Sequence, residues 1–147
     1  MSAAFILLAQ LRGGEANAAR AAIGALDEPF ARVPGTHLAR LQVLEGRHLL
    51  LAADHDGALE PWLLAAAREL ESVLAHCAFW PGAGDPAEVV RWARERELPA
   101  GFSVVGSPHA TVEEVGEALR LRERLARFAA ETEGLGDDDL HAAWRAR

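Results

Sequence analysis

The residues best placed to do chemistry fall in one stretch, Thr36-His37-Leu38-Ala39-Arg40-Leu41-Gln42, and in its sequel Asp54-His55-Asp56-Gly57. An imidazole beside a carboxylate can act as a general base with an orienting partner. A guanidinium nearby can neutralise a ligand carboxylate or phenolate, or stabilise a developing oxyanion. The two stretches are joined through Leu44-Glu45-Gly46-Arg47, a tight-turn signal between apolar runs, which predicts a β-hairpin.

The hairpin register decides which of these groups meet. A two-residue Glu45-Gly46 turn makes Leu44 face Arg47. Counting outward pairs Val43 with His48, Leu41 with Leu50, Ala39 with Ala52 and His37 with Asp54. The opposite face pairs Gln42 with Leu49, Arg40 with Leu51, Leu38 with Ala53 and Thr36 with His55. The first set, small and apolar in its middle, is expected against helices. The second is expected on an open face, joined there by Ile6, Leu8, Gln10 and Arg12 of the first strand. On this count His37 and Asp54 form a cross-strand pair, either a structural tie or an acid-base dyad. The candidate catalytic residues are therefore His55, His37 and Asp54, and the candidate ligand contacts are Arg40, Gln42, Thr36 and Gln10. A slip of one residue exchanges the two faces of a strand, so the whole assignment hangs on the turn.

Other chemistries are closed off by composition. The chain has no lysine and no tyrosine, which removes Schiff-base, P-loop-lysine and phenolic acid-base mechanisms. None of Ser2, Ser72, Ser103 and Ser107 sits in a nucleophile-elbow context. No metal site and no cofactor are expected. Consecutive residues of Asp54-His55-Asp56 point to alternate faces of a strand, and His76 and Cys77 diverge by about 100 degrees on a helix. His109, in Gly106-Ser107-Pro108-His109, has no feature that marks a haem ligand, and Gly13-Gly14 lacks the spacing of a phosphate loop. The tryptophans Trp62, Trp80, Trp92 and Trp144 read as core or interface anchors. A net charge of -7 argues against a nucleic-acid partner. Cys77 stands alone, so no intrachain disulfide forms, which fits a cytoplasmic protein. The apolar run ending at Ala9 is too short for a signal peptide or a membrane span, and no membrane partner is expected.

The elements that must position these residues follow from periodicity. A first strand is expected over 4–12, apolar throughout, and a helix over 15–32 with Pro29 near its end. After the hairpin, an apolar stripe predicts a helix over 58–77. Asp85-Pro86 then starts a short helix running to about residue 98, and Phe102–Gly106 reads as a fourth strand. Thr111-Val112-Glu113-Glu114 matches a capping box for a helix to about residue 132, and Asp137-Asp138-Asp139 caps a last helix to Trp144. With 147 residues, no repeat and no linker, one α+β domain is expected, with a core over 4–106 and a helical extension over 111–147. The simplest arrangement is ferredoxin-like, βαββαβ, an antiparallel sheet in order 4-1-3-2 with helices on one face.

The pattern Thr36-His37-Leu38-Ala39-Arg40, followed by a strand ending Asp56-Gly57 and then a helix, resembles ferredoxin-like domains of the dimeric α+β barrel type. The resemblance covers roughly residues 4 to 106. It implies a homodimer that closes the open sheet face. Members of that superfamily include cofactor-free monooxygenases, polyketide cyclases, haem-binding peroxidase relatives and proteins of unknown role, and the fold does not choose among them. The expectation is a homodimer holding a small, largely apolar or anionic molecule on the open face. Cofactor-independent oxygenase or cyclase chemistry and a non-catalytic interaction module both remain open.

Overall fold

A computed structural model describes residues 2–99 and 110–146. The chain divides into two compact units, Met1–Val112 and Glu113–Arg147. The first is α+β. It runs β1 (Ser2–Gln10), α1 (Ala16–Gly24), a 3-10 turn (Pro29–Arg32), β2 (Thr36–Leu44), β3 (His48–Asp56), α2 (Leu59–Glu69), α3 (Glu71–Leu74) and α4 (Pro86–Arg94). The strands form one antiparallel sheet in order β1-β3-β2. The predicted fourth strand, Phe102–Gly106, lies outside the described residues. Among the described residues the sheet thus has three strands rather than the four of the ferredoxin-like expectation.

The outer edge of β1 is covered by two short segments. Leu8 N–H donates to Arg96 O at 3.0 Å, and Leu98 N–H to Ile6 O at 2.8 Å. Ala78 N–H donates to Gln10 O at 2.8 Å, and Arg12 N–H to His76 O at 2.9 Å. These pairings satisfy backbone groups that a bare edge would leave open.

Although β1 is apolar throughout, its burial alternates: Phe5, Leu7 and Ala9 are buried, while Ile6 and Leu8 are half-buried. The buried set joins Leu49, Leu51 and Ala53 of β3 against Trp62, Leu63, Ala66, Leu70, Val73, Val89 and Trp92 from the helices. This is one apolar core between one sheet face and the α2–α4 layer.

Three predicted helices are shorter than expected, and α4 stops at Arg94 rather than near residue 98. The first ends at Gly24, and Glu28 sits at φ 42° immediately before Pro29, which opens the 3-10 turn. A residue preceding proline is sterically pushed out of the right-handed helical region, so the helix cannot run through. The second breaks at Leu70 (φ -99°, ψ 8°) into α2 and α3. At α4 the expected signals operate: the Asp85 carboxylate accepts from the N–H groups of Ala87 and Glu88 at 3.0 and 3.3 Å, with Pro86 at the first helical position. The second unit holds α5 (Val112–Glu131) apart from its first residue, Val112, which belongs to the first unit, and then α6 (Asp137–Arg145); Phe128 meets Trp144 edge-on at 5.3 Å. No helix among the described residues is long and apolar enough to cross a membrane.

Candidate functional site

The tight turn forms, but with one residue more than the count assumed. Arg47 N–H donates to Leu44 O at 3.0 Å, and Glu45 and Gly46 both take positive φ, 49° and 64°. Arg47 is then left over, and Leu44 faces His48. The ladder continues as Val43 with Leu49, Gln42 with Leu50, Leu41 with Leu51, Arg40 with Ala52, Ala39 with Ala53 and Leu38 with Asp54. From Leu38 to Val43 the faces of β2 therefore stand as expected, and every face of β3 is reversed. A bulge between Thr36 and Leu38 leaves His37 over and pairs Thr36 with His55.

This reversal separates the candidate catalytic residues. His55 is buried on the helix-packed face, 1% exposed, rather than at the mouth of the open one. Its ring stacks on Trp62 at 4.9 Å and 15°, and its Nδ1 lies 3.3 Å from Asp56 O. Asp54 is on the open face. His37 pairs with Asp56, Nε2 to Oδ1 at 2.9 Å, and not with Asp54. Thr36 is tied into the helix-packed side as well: its hydroxyl donates to Val33 O at 2.8 Å and accepts from Trp62 Nε1–H at 2.9 Å. Gly35, at φ 78°, makes the turn into β2, and its carbonyl accepts from Asp56 N–H at 2.8 Å.

Asp56 is the hub of this end. Its Oδ2 accepts from Val112 N–H at 2.8 Å while Oδ1 holds His37. Burial pushes the carboxyl pKa up, but the hydrogen bonds from Val112 and His37 outweigh burial and leave it below the ordinary value. A lowered native pKa means the carboxylate stabilises the fold above the unfolded-state value and ceases to do so as pH falls through the native one. Asp56→Asn should cost about 1 kcal/mol at neutral pH. The gap between variant and parent should close as urea midpoints are followed from pH 6 to below pH 4. A gap constant with pH would show that the charge of Asp56 contributes nothing.

The open face reads in four rows across β2, β3 and β1: Leu38, Asp54 and Ala4; Arg40, Ala52 and Ile6; Gln42, Leu50 and Leu8; Leu44, His48 and Gln10. The floor is apolar and half-buried, apart from Leu38, which is 65% exposed. The side chains of Gln10, Arg40, Gln42, His48 and Asp54 make no hydrogen bond or ion pair among the described residues. Thr36 and Trp62 are engaged on the helix-packed side, and His37 and Asp56 are engaged with each other at the end of the sheet. A cleft of about 360 Å³ opens at the Gln10–His48 end, between Leu8 and the segments carrying Phe79, Glu95 and Arg96.

Cys77 is buried behind β1, and burial pushes its thiol up to about 11 against the opposing pull of Arg96 and Arg12. Such a thiol stays protonated at neutral pH and is a poor nucleophile. Among the described residues no three His, Cys, Asp or Glu side chains converge as a metal site requires. His109 lies outside the described residues.

Comparison of the chain with protein-family models, with curated proteins and with solved structures returns no match. The functional reading therefore rests on geometry. His48, Phe79 and Arg96 were not singled out by the sequence, and Asp56 only as part of the Asp54–Gly57 run. One signal was available: Trp92 and Arg96 are four apart, the spacing that stacks a guanidinium on an indole one helical turn away.

Proposed function

We propose that the chain is a ferredoxin-like, dimeric α+β-barrel type protein that binds a small, largely apolar or anionic molecule on its open sheet face. The observation that carries this reading is the open face itself. Five polar side chains without partners among the described residues stand over an apolar floor on one side of the sheet, and a cleft opens at its end. Apolar floor plus a few convergent polar groups is the usual makeup of a small-molecule site. A second copy laid on this face would cover Leu38, Leu44, Leu50 and Ile6, which a monomer leaves partly wet. The sheet order 4-1-3-2 seats its fourth strand beside β1, the edge along which residues 96–98 run antiparallel. A cytoplasmic setting accords with the lone, buried Cys77.

Binding is favoured over acid-base catalysis. His55 is buried against Trp62, and His37, left over at the bulge and paired with Asp56, stands outside the alternation that lines up Arg40 and Gln42. Native mass spectrometry of the protein purified from its own host should find a dimer with a co-purifying small molecule. The Arg40→Ala/Gln42→Ala variant should remain dimeric and lose the ligand, since removing a charged hydrogen-bond donor costs about 1.5–3 kcal/mol. A bare monomer would overturn the reading. Loss of the dimer with the double substitution would instead make this face an interaction surface and nothing more.

A further inference from the structure

We propose that the cleft beside Phe79 binds an aromatic monocarboxylate, with Arg96 holding the carboxylate and Phe79 stacking on the ring. The inference rests on the small-molecule reading above and names its ligand class and its seat.

Arg96 is a built anion donor. Its Cζ stands 4.7 Å over the Trp92 ring, and its Nη1 donates to Trp92 O at 2.8 Å and to Glu95 Oε2 at 3.2 Å. Its side chain is only 19% exposed, so the guanidinium is held in place before any ligand arrives. Both contacts use Nη1, which leaves Nη2 and Nε as the two parallel donors a carboxylate takes in bidentate fashion. Glu95 beside it limits the charge the site accepts. One guanidinium with one carboxylate at its rim suits a monoanion and disfavours a phosphate dianion.

Phe79 is anomalous twice over. Its φ is 59°, the left-handed region that a bulky side chain enters only at a cost. The residue is 84% exposed, so burial returns little. It lines the 360 Å³ cleft and also a second cleft of about 340 Å³ that shares Glu95 and Arg96. A strained aromatic without protein partners, standing beside a fixed guanidinium, is accounted for by a ligand ring that stacks on it. Leu8 supplies the apolar floor, and Gln10 and His48, cross-strand partners with unengaged side chains, face a polar substituent at the far end.

The probes are benzoate, 4-hydroxybenzoate, benzamide and inorganic phosphate, titrated into the full chain by calorimetry and followed by amide NMR shifts. Benzoate and 4-hydroxybenzoate should saturate with shifts at Phe79 and Arg96, and benzamide and phosphate should bind at least about tenfold more weakly. Arg96→Lys, which keeps the charge and removes the fork, should lose about tenfold, and Glu95→Gln should tighten binding by removing the competing anion. Phe79→Gly should weaken benzoate binding while raising the thermal midpoint by about 2–4 °C. Opposite signs from one substitution are what a merely structural residue does not give. Phosphate binding as tight as benzoate, or unchanged affinity in Phe79→Gly, overturns the proposal. So does the absence of saturation by any probe. Shifts confined to Arg40 and Gln42 overturn the cleft assignment and leave the open-face reading standing.

Discussion

Leu49→Asp should abolish folding, whereas Leu50→Asp, one residue away, should leave a folded monomer. Leu49 is 0% exposed and faces the helix layer, so an aspartate there is an unpaired charge in an apolar core. Removing such a carboxylate from water costs several kcal/mol, comparable to the ~5–15 kcal/mol of total stability of a small domain. Leu50 is half-buried on the open face, where a carboxylate can keep water or meet Arg40 diagonally. Loss of its apolar area costs about 1–2 kcal/mol in the monomer. In the proposed dimer the same charge would be trapped between two sheets, so Leu50→Asp should also convert dimer to monomer. Urea titration followed by circular dichroism, with sizing of the folded fraction, reads both effects. A folded Leu49→Asp together with an unfolded Leu50→Asp would reverse the face assignment and restore the register counted from a two-residue turn.

That contrast marks where the sequence stops being legible. Elements with local signatures were readable: the Asp85-Pro86 helix start, the Glu45-Gly46 turn and the alternation that puts Arg40 and Gln42 on one face of β2 are all encoded within a few residues. The pairing of β3 is not. Whether Arg47 belongs to the strand or to the turn depends on burying Leu49, Leu51 and Ala53 against helices that arrive later in the chain. The sequence offers a continuous apolar run, Leu49-Leu50-Leu51-Ala52-Ala53, with no polar residue to declare a face. A single leftover residue then moved His55 from the open face to the core and Asp54 the other way. The site residues missed, Phe79 and Arg96, meet Gln10 and His48 only through the backbone pairing of residues 76–78 and 96–98 with β1. No periodicity announces those isolated bridges.

Trp62→Ala is expected to cost about 3–5 kcal/mol, the range for deleting a buried large aromatic. Trp62 is 3% exposed at the centre of the helix-packed face, edge-on to Phe5 at 6.0 Å and stacked on His55. Truncation removes its packing, leaves a cavity too large for α2 to close, and strands two polar groups. Thr36 Oγ1 loses the donor at 2.9 Å, and the buried His55 ring loses the surface that shields it. Trp62→Phe separates these contributions. It keeps an aromatic ring and forfeits the N–H, so its cost should be nearer 1–2 kcal/mol. Combining Trp62→Phe with Thr36→Val removes both partners of that hydrogen bond, and the double variant should lose less than the two single changes add to, because neither partner is left orphaned and the donor lost to Val33 O is common to the Thr36→Val single and the double variant. Strict additivity would mean the indole acts through volume alone. Sub-additivity would place the Trp62–Thr36 hydrogen bond among the interactions that fix the start of β2, and with it the register that sends Arg40 and Gln42 to one side of the sheet and His55 to the other.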